Sequence, residues 1–501
     1  MIGPDAILLN WLLALPFFAA LCAAIFPRFA LRPHSEAEAE SLPRAPFALG
    51  ALASLMGLSI SAALLHTALA GPGAEVNYWW TSDLYQLRFR ADSLAAAAAL
   101  MIHALGFLIS LHWYSLPTPT APHRRAAFLL LALGGASAAI LSADLIALLF
   151  FLQLALVSTW LLAGVESPQE ADRMLKLTFA GVLLLTGGSL LLWNQSVGTA
   201  TAGLSLALLG TQPPALRLIG LAVLLGATPL LSAFPGHAWL PRLARPSPRT
   251  AWACGTLLAL TGFAVALRLL PGTMVLPMAP GFARASLALG LLSLAGGLLG
   301  AWVGRSLREL IAWLTMAQTG QFLLALSVAA NPTESASGPA LTAAALHLLA
   351  APVALLALWS AMSAVLNRAG TDGLPGLSGL LGKMPLAGIA FLAGGLSLAG
   401  VPPLPGFWEQ RALLVGMLAG QQRVLLILFV LADLMLLGLV LGAFRRAFLR
   451  GEPAPALTPP RRWEGVQLFL AAAMVVALGA LQGPVSKWTT LVVGNVLTLR
   501  P

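Results

Sequence analysis

AGVPPLPGFWEQRALL, residues 399–414, sets three prolines and two glycines in an otherwise apolar stretch and follows them with Glu409, Gln410 and Arg411. Proline removes a backbone donor and clashes with the preceding helical turn, so this stretch breaks a helix. The surrounding chain says where that helix lies. Of 501 residues 59% are hydrophobic and only 9% are charged, and the mean hydropathy is +0.87. So little charge does not cover the surface of a soluble protein of this length. Apolar runs of about 20 residues recur from end to end, the length that crosses a bilayer as a helix. The reading is an all-α polytopic membrane protein with about 14 transmembrane helices, the twelfth (384–420) holding the quoted break.

The first run, 7–26, has no Lys or Arg before it and is read as a retained span rather than a signal peptide. Cys22 and Cys254 both fall in apolar runs, which predicts neither a disulfide framework nor a metal cluster. The net charge of +10 reflects arginines in loops beside the spans, as membrane topology requires, and no nucleic-acid partner is expected. With the N-terminus outside, 19 of the 28 Lys and Arg fall in cytoplasmic loops, which predicts both termini on the outer face of a bacterial inner membrane. Residues 76–91, rich in Tyr, Trp and Thr, predict a small β-hairpin outside the membrane.

A second break lies in GATPLLSAFPGHAWLP, residues 226–241, with Pro229 inside the seventh span (216–234) and Pro235 just after it. In the twelfth the breaking residues are Pro402, Pro403 and Pro405. Backbone groups freed at membrane depth need protein or water around them, so each break marks a buried cavity or pathway. Breaks at matching places in two halves point to a transport site. Here they are five spans apart. Two five-helix units, spans four to eight and nine to thirteen, then each carry a broken fourth member. Because five is odd, the units form an inverted repeat. The expected division is 1–125 with three spans and the hairpin, 126–270 and 284–444 as the two repeats, and 445–501 as a loop and last span.

These segments resemble the antiporter-like membrane subunits of respiratory complex I (NADH:quinone oxidoreductase) and their relatives in Mrp sodium/proton antiporters, membrane-bound hydrogenases and DabB-type inorganic-carbon pumps. FPGHAWLPRLARPSPRTA (234–251) is similar to the segment after the broken seventh helix, and GVPPLPGFWEQ (400–410) to the broken twelfth. LRELIAWLTMAQTG (307–320) and DLIALLFFLQ (144–153) are similar to the family's tenth-span and fifth-span signatures. The resemblance implies a membrane-arm subunit of a complex I-like, redox-driven, proton-translocating complex, with other membrane subunits as partners. It implies no cofactor bound by this chain and redox cofactors in partner subunits. A DabB-like subunit of an inorganic-carbon uptake complex and a stand-alone cation/proton antiporter remain alternatives.

The family's proton relay runs through buried lysines and a glutamate, and here the resemblance departs. The fifth-span Glu is Gln153, the seventh-span Lys falls near Leu230, the eighth-span His or Lys at Cys254, the eleventh-span Lys near Leu355, and the twelfth-span Lys or Glu at Gln410. The chain holds three lysines, Lys176, Lys383 and Lys487, all at span ends or beyond. The central relay is therefore expected to be degenerate, leaving a weakly pumping or structural subunit. Ionisable residues in membrane spans are functional by default. The proton-path candidates are His347, Glu409, Arg411, Asp433, Lys176, Asp144 and Arg308. Glu409 and Arg411 are candidates to pair with one another, Asp433 needs a partner, His103 is read as packing, and Asp144 and Lys176 as helix-end residues.

Overall fold

A computed structural model of the chain describes residues 3–29, 44–82, 85–115, 121–196, 216–274, 280–330, 333–449, 457–459 and 463–497. The described residues form seventeen α-helices and one hairpin. The first six helices are α1 (Pro4–Phe29), α2 (Ala45–Ala70), α3 (Ser93–Ser115), α4 (Pro122–Leu141), α5 (Leu145–Gly164) and α6 (Pro168–Ser196). Next come α7 (Leu216–Leu231), the short α8 (Trp239–Ala244), α9 (Pro248–Met274), α10 (Pro280–Val303), α11 (Leu307–Ala329) and α12 (Glu334–Ala369). The last five are α13 (Pro385–Leu398), α14 (Pro405–Ala419), α15 (Arg423–Phe444), α16 (Glu464–Ala480) and α17 (Gln482–Leu497).

Eleven of these helices are long and apolar enough to cross a membrane, or twelve if the bent pair α16–α17 is one span. The other two expected spans are the 16-residue α7 and the interrupted α13–α14. Burial sorts the helices by place. The apolar windows of α9, α11 and α12 are wholly or almost wholly inside the protein, whereas most of α1 and α15 faces outward. Where every face is apolar, hydropathy cannot choose a core face, and small residues decide contact. A Cβ on Gly297 of α10 would stand 2.5 Å from the backbone nitrogen of Ala317 in α11, so only glycine allows that approach. Gly135 of α4 plays the same part against Ala155 of α5, at 2.7 Å.

The hairpin is β1 (Ala74–Ser82) paired antiparallel with β2 (Tyr85–Ala91), with Val76 opposite Phe89 and Tyr78 opposite Leu87. It latches onto the helices beneath it. The Tyr78 hydroxyl donates to Asn10 Oδ1 at 2.5 Å, and burial raises its phenol above the ordinary value. Asp144 caps α5 by accepting from the Ala147 N–H at 2.7 Å, and its other oxygen accepts from the Arg88 N–H of β2 at 3.2 Å.

Both proline stretches interrupt helices. Helix α7 stops at Leu231; Ser232 has φ +57°, a single turn spans Gly236–Ala238, and α8 begins. Helix α13 stops at Leu398, Gly400 turns the chain at φ +67°, and α14 starts at Pro405. A Cβ at Gly400 would collide with the Gln410 side chain, so both its φ and its surroundings require glycine. Peptide bonds Phe234–Pro235 and Pro402–Pro403 are cis.

The freed carbonyls find specific partners. The Pro229 carbonyl accepts from Trp239 Nε1 at 2.9 Å, and the Leu231 carbonyl from Thr319 Oγ1 at 2.5 Å. The Leu398 carbonyl accepts from Gln410 Nε2 at 2.9 Å and from Gln318 Nε2 at 3.4 Å. Thr319 and Gln318 are neighbours on α11, so one buried helix closes both breaks. We predict that Thr319→Val, which strands the Leu231 carbonyl, costs about 1–3 kcal/mol. Thr342→Val, at a half-buried hydroxyl that only bonds back to the Gly338 carbonyl, should stay within about 0.5 kcal/mol. Thermal unfolding in mild detergent, read by a thiol dye reaching the buried Cys254 in a Cys22→Ser background, measures both.

Candidate functional site

Four helices converge behind the second break. Helix α12 supplies His347, α14 supplies Glu409 and Gln410, α11 supplies Gln318 and Gln321, and α15 supplies Asp433. Gln318 and Gln321 are three apart, so they share one face of α11. Glu409 lies just beyond the first turn of α14, whose start carries the partial positive charge of unpaired N–H groups.

His347 is fully buried and Glu409 nearly so, and Nδ1 of His347 lies 2.5 Å from Glu409 Oε1. Phe263 of α9 meets the imidazole edge-on at a centroid distance of 4.7 Å, and Phe322 of α11 covers it at 5.5 Å. These rings exclude solvent from the pair and strengthen its electrostatics. Nε2 of His347 has no hydrogen-bond partner among the described residues. One proton on the pair makes it neutral overall, whichever partner holds it. Removing that proton leaves −1, and adding a second leaves +1. Asp433 accepts from Gln321 Nε2 at 2.8 Å. Gln321 thus brings Asp433 of α15 onto the same helix, α11, that covers the His347 ring with Phe322.

The pairing of Glu409 with Arg411 weighed from the sequence is not formed. Glu409 turns inward to His347, whereas Arg411, two residues on, is exposed on another face of α14. Asp433 has the partner it needs in Gln321. Asp144 caps α5 at a helix end. Lys176 is exposed on α6, away from this centre. Arg308 grips Asp372 through two guanidinium nitrogens and donates through Nη1 to the Arg245 carbonyl at 2.6 Å. Its charge is neutralised at the start of α11. His103 is buried, with Nε2 3.4 Å from Ser137 Oγ.

Of the positions expected from the resemblance to match titrating residues, Leu230 and Leu355 are buried in the apolar core. Cys254 is buried with Sγ 3.6 Å from the Thr159 carbonyl. Gln153 is half-buried on α5, and Gln410 ties α14 to the end of α13.

Two polar clusters between helices were not foreseen. His112 Nε2 lies 2.7 Å from Ser363 Oγ, and Gln467 Nε2 donates to Ser360 Oγ at 2.6 Å, joining α3, α12 and α16. Glu166 accepts from Arg125 at 2.6 Å and from Thr250 at 2.5 Å, joining α4, the end of α5 and α9. The only trace in sequence was polar residues inside or beside apolar spans, with nothing to say which spans meet. Among the described residues no three His, Cys, Asp or Glu side chains converge as metal ligands.

The profile of the family described as "NADH:quinone oxidoreductase/Mrp antiporter, TM" matches residues 142–435. The NADH-quinone oxidoreductase subunit N of Geobacillus kaustophilus is 27% identical over 433 residues, covering 81% of this chain and 82% of that one. A chain of respiratory complex I from Thermus thermophilus superposes with a TM-score of 0.80 at 20% identity, covering 98% of this chain and 99% of that one. A chain of the Mrp complex from Dietzia sp. superposes at 0.78 and 17% identity, with the same coverage. At these identities the two structures speak for the fold.

We predict that His347→Leu alone, which leaves Glu409 buried without its partner, destabilises the protein by about 3–5 kcal/mol. Adding Glu409→Leu should recover most of that loss, and a double-mutant cycle on unfolding midpoints should give a coupling of about 1–3 kcal/mol. Arg411→Ala, at an exposed site, should change stability by less than about 0.5 kcal/mol.

Proposed function

Because the chain belongs to the NADH:quinone oxidoreductase/Mrp antiporter transmembrane family, we propose that it is a membrane-arm subunit of a complex I-like, redox-driven complex that moves protons. The observation that carries this reading is the buried His347–Glu409 contact behind the second break. A centre at mid-membrane that changes charge with each proton can respond to a neighbour's charge. That is what coupling to redox chemistry in other subunits requires. In this chain the centre is built from an imidazole and carboxylates. Leu230, Leu355 and Gln410 stand where the family's relay places lysines or an acid.

His347 meets Glu409 through Nδ1 and has Nε2 without a partner among the described residues on its other side, the arrangement a ring needs to pass a proton from one nitrogen to the other. Asp433 is held by Gln321. Gln318 and Gln410 do not titrate. They hold the two ends of the break in place through the Leu398 carbonyl.

The same reading treats α4–α9 (126–270) and α10–α15 (284–444) as inverted repeats, flanked by 1–125 and 445–501, with both termini on the outer side. Three offsets support the repeat. Gly135 and Gly297, Ala155 and Ala317, and the helix-capping residues Asp144 and Ser306 are each 162 positions apart and do matching work. Redox cofactors belong to the partner subunits.

The test is to tag the full chain in its native host, solubilise the membranes gently and identify what co-purifies by mass spectrometry. The proposal predicts quinone-reactive and iron–sulfur subunits in stoichiometric amount. A zinc protein resembling a carbonic anhydrase would replace it with inorganic-carbon uptake, and a chain recovered alone would replace it with solitary antiport.

A further inference from the structure

A cavity of about 390 Å³ lies between the C-terminal ends of α10 and α15. Trp302 and Gly304 line one side, Met435, Gly438 and Gly442 the other, and Arg446 stands among the lining residues just past the end of α15. The two helices end on the same side of the protein, so Trp302 and Arg446 mark one end of the groove. Its floor is bare by design of the sequence: a Cβ on Gly438 or Gly442 would meet nothing within 4 Å. Glycines inside helices are usually there to let another backbone approach. Gly297, on the same helix as Trp302, shows that use. Gly438 and Gly442 are four apart on one face of α15 and approach nothing in this chain, so they open a slot.

The slot is apolar and looks outward. Leu299, Trp302 and Val303 of α10 are among the most exposed large side chains of the protein, as is Leu434 of α15. The rim is cationic. Arg446 is exposed, and so are its neighbour Arg445 and, beside Gly304, Arg305. None of the residues lining the cavity is acidic. Arg445 opens a π-helical turn, Arg445–Leu449, at the point where α15 leaves the apolar slot. Such wider turns are common at functional sites. A Trp at the end of a span sits at headgroup depth, and basic side chains there attract anionic lipid.

We infer that this groove binds one anionic phospholipid. An acyl chain lies over Gly438 and Gly442, and the phosphate meets the Arg446 guanidinium with Trp302 beside the glycerol region. The charge of the rim selects a phosphatidylglycerol or cardiolipin headgroup over a zwitterionic one. The glycine slot selects a chain-bearing ligand over a free phosphate. A helix of a neighbouring subunit would not need the exposed arginines at the rim.

The experiment uses the full chain purified in mild detergent from membranes holding phosphatidylglycerol, cardiolipin and phosphatidylethanolamine, with retained lipid counted by native mass spectrometry. The expected result is about one anionic phospholipid per protein, enriched over phosphatidylethanolamine. Arg446→Gln should lower that occupancy roughly five-fold, the effect of removing one basic residue from an anionic headgroup. Gly442→Leu, which fills the slot without touching the charge, should lower it at least as much. Arg423→Gln, at an exposed arginine on the opposite end of α15, should leave it unchanged. Unfolding midpoints of all three variants report that each is folded. Equal retention by Arg446→Gln and the wild type, or equal occupancy by phosphatidylethanolamine, overturns the proposal. So does retention of free inorganic phosphate by the delipidated protein with no lipid preference.

Discussion

Every backbone carbonyl released inside a membrane has to find a donor, and here α11 supplies one to each interrupted helix, beside Trp239 at the first break and Gln410 at the second. Thr319 serves the Leu231 carbonyl, Gln318 serves the Leu398 carbonyl, and Gln321, one turn along from Gln318, holds Asp433. An unsatisfied carbonyl in this setting costs several kcal/mol, so the two breaks and this helix stand or fall together. The glycine contacts of α10 with α11 serve the same end, because they fix the height at which those three side chains meet the breaks.

The second break does more than interrupt a helix. It ends α13 early and starts α14 inside the protein, and that start brings Glu409 to His347. A continuous helix through 385–419 would turn Glu409 away from His347. The His347–Glu409 contact is thus a product of the break. The aromatic walls of Phe263 and Phe322 come from α9 and α11, the two most buried helices of the bundle. Elsewhere charge is handled by neutralisation at helix ends, as in the Arg308–Asp372 clasp and the Arg125–Glu166 pair.

Much of this was legible in the sequence. Apolar runs, hairpin composition and proline clusters are local signals, and they located the helices, the 74–91 hairpin and both interruptions. His347, Glu409 and Asp433 stood out because an ionisable residue in an apolar run is conspicuous wherever it falls. Their mutual arrangement was not legible. Arg411 is two residues from Glu409 in sequence, while His347 is sixty-two away; only the packing of α12 on α14 makes the distant one the partner. The part played by Gln318 and Thr319 was hidden for a related reason. Uncharged polar residues are ordinary in membrane helices, and nothing in LTMAQTG says that two broken helices end beside it. The His112–Ser363 and Gln467–Ser360 contacts join helices from the two ends of the chain, which no local pattern records.

The most direct measurement of the central claim is driven proton movement in inverted membrane vesicles from a host whose only copy of the chain carries Glu409→Gln, followed with a pH-sensitive dye while electron transfer is measured in parallel. Loss of most proton movement per electron, with electron transfer and assembly retained, is the predicted result; Lys176→Ala, on the exposed face of α6, should behave as wild type. Unchanged proton movement in Glu409→Gln would contradict the account and leave the His347–Glu409 contact a structural one.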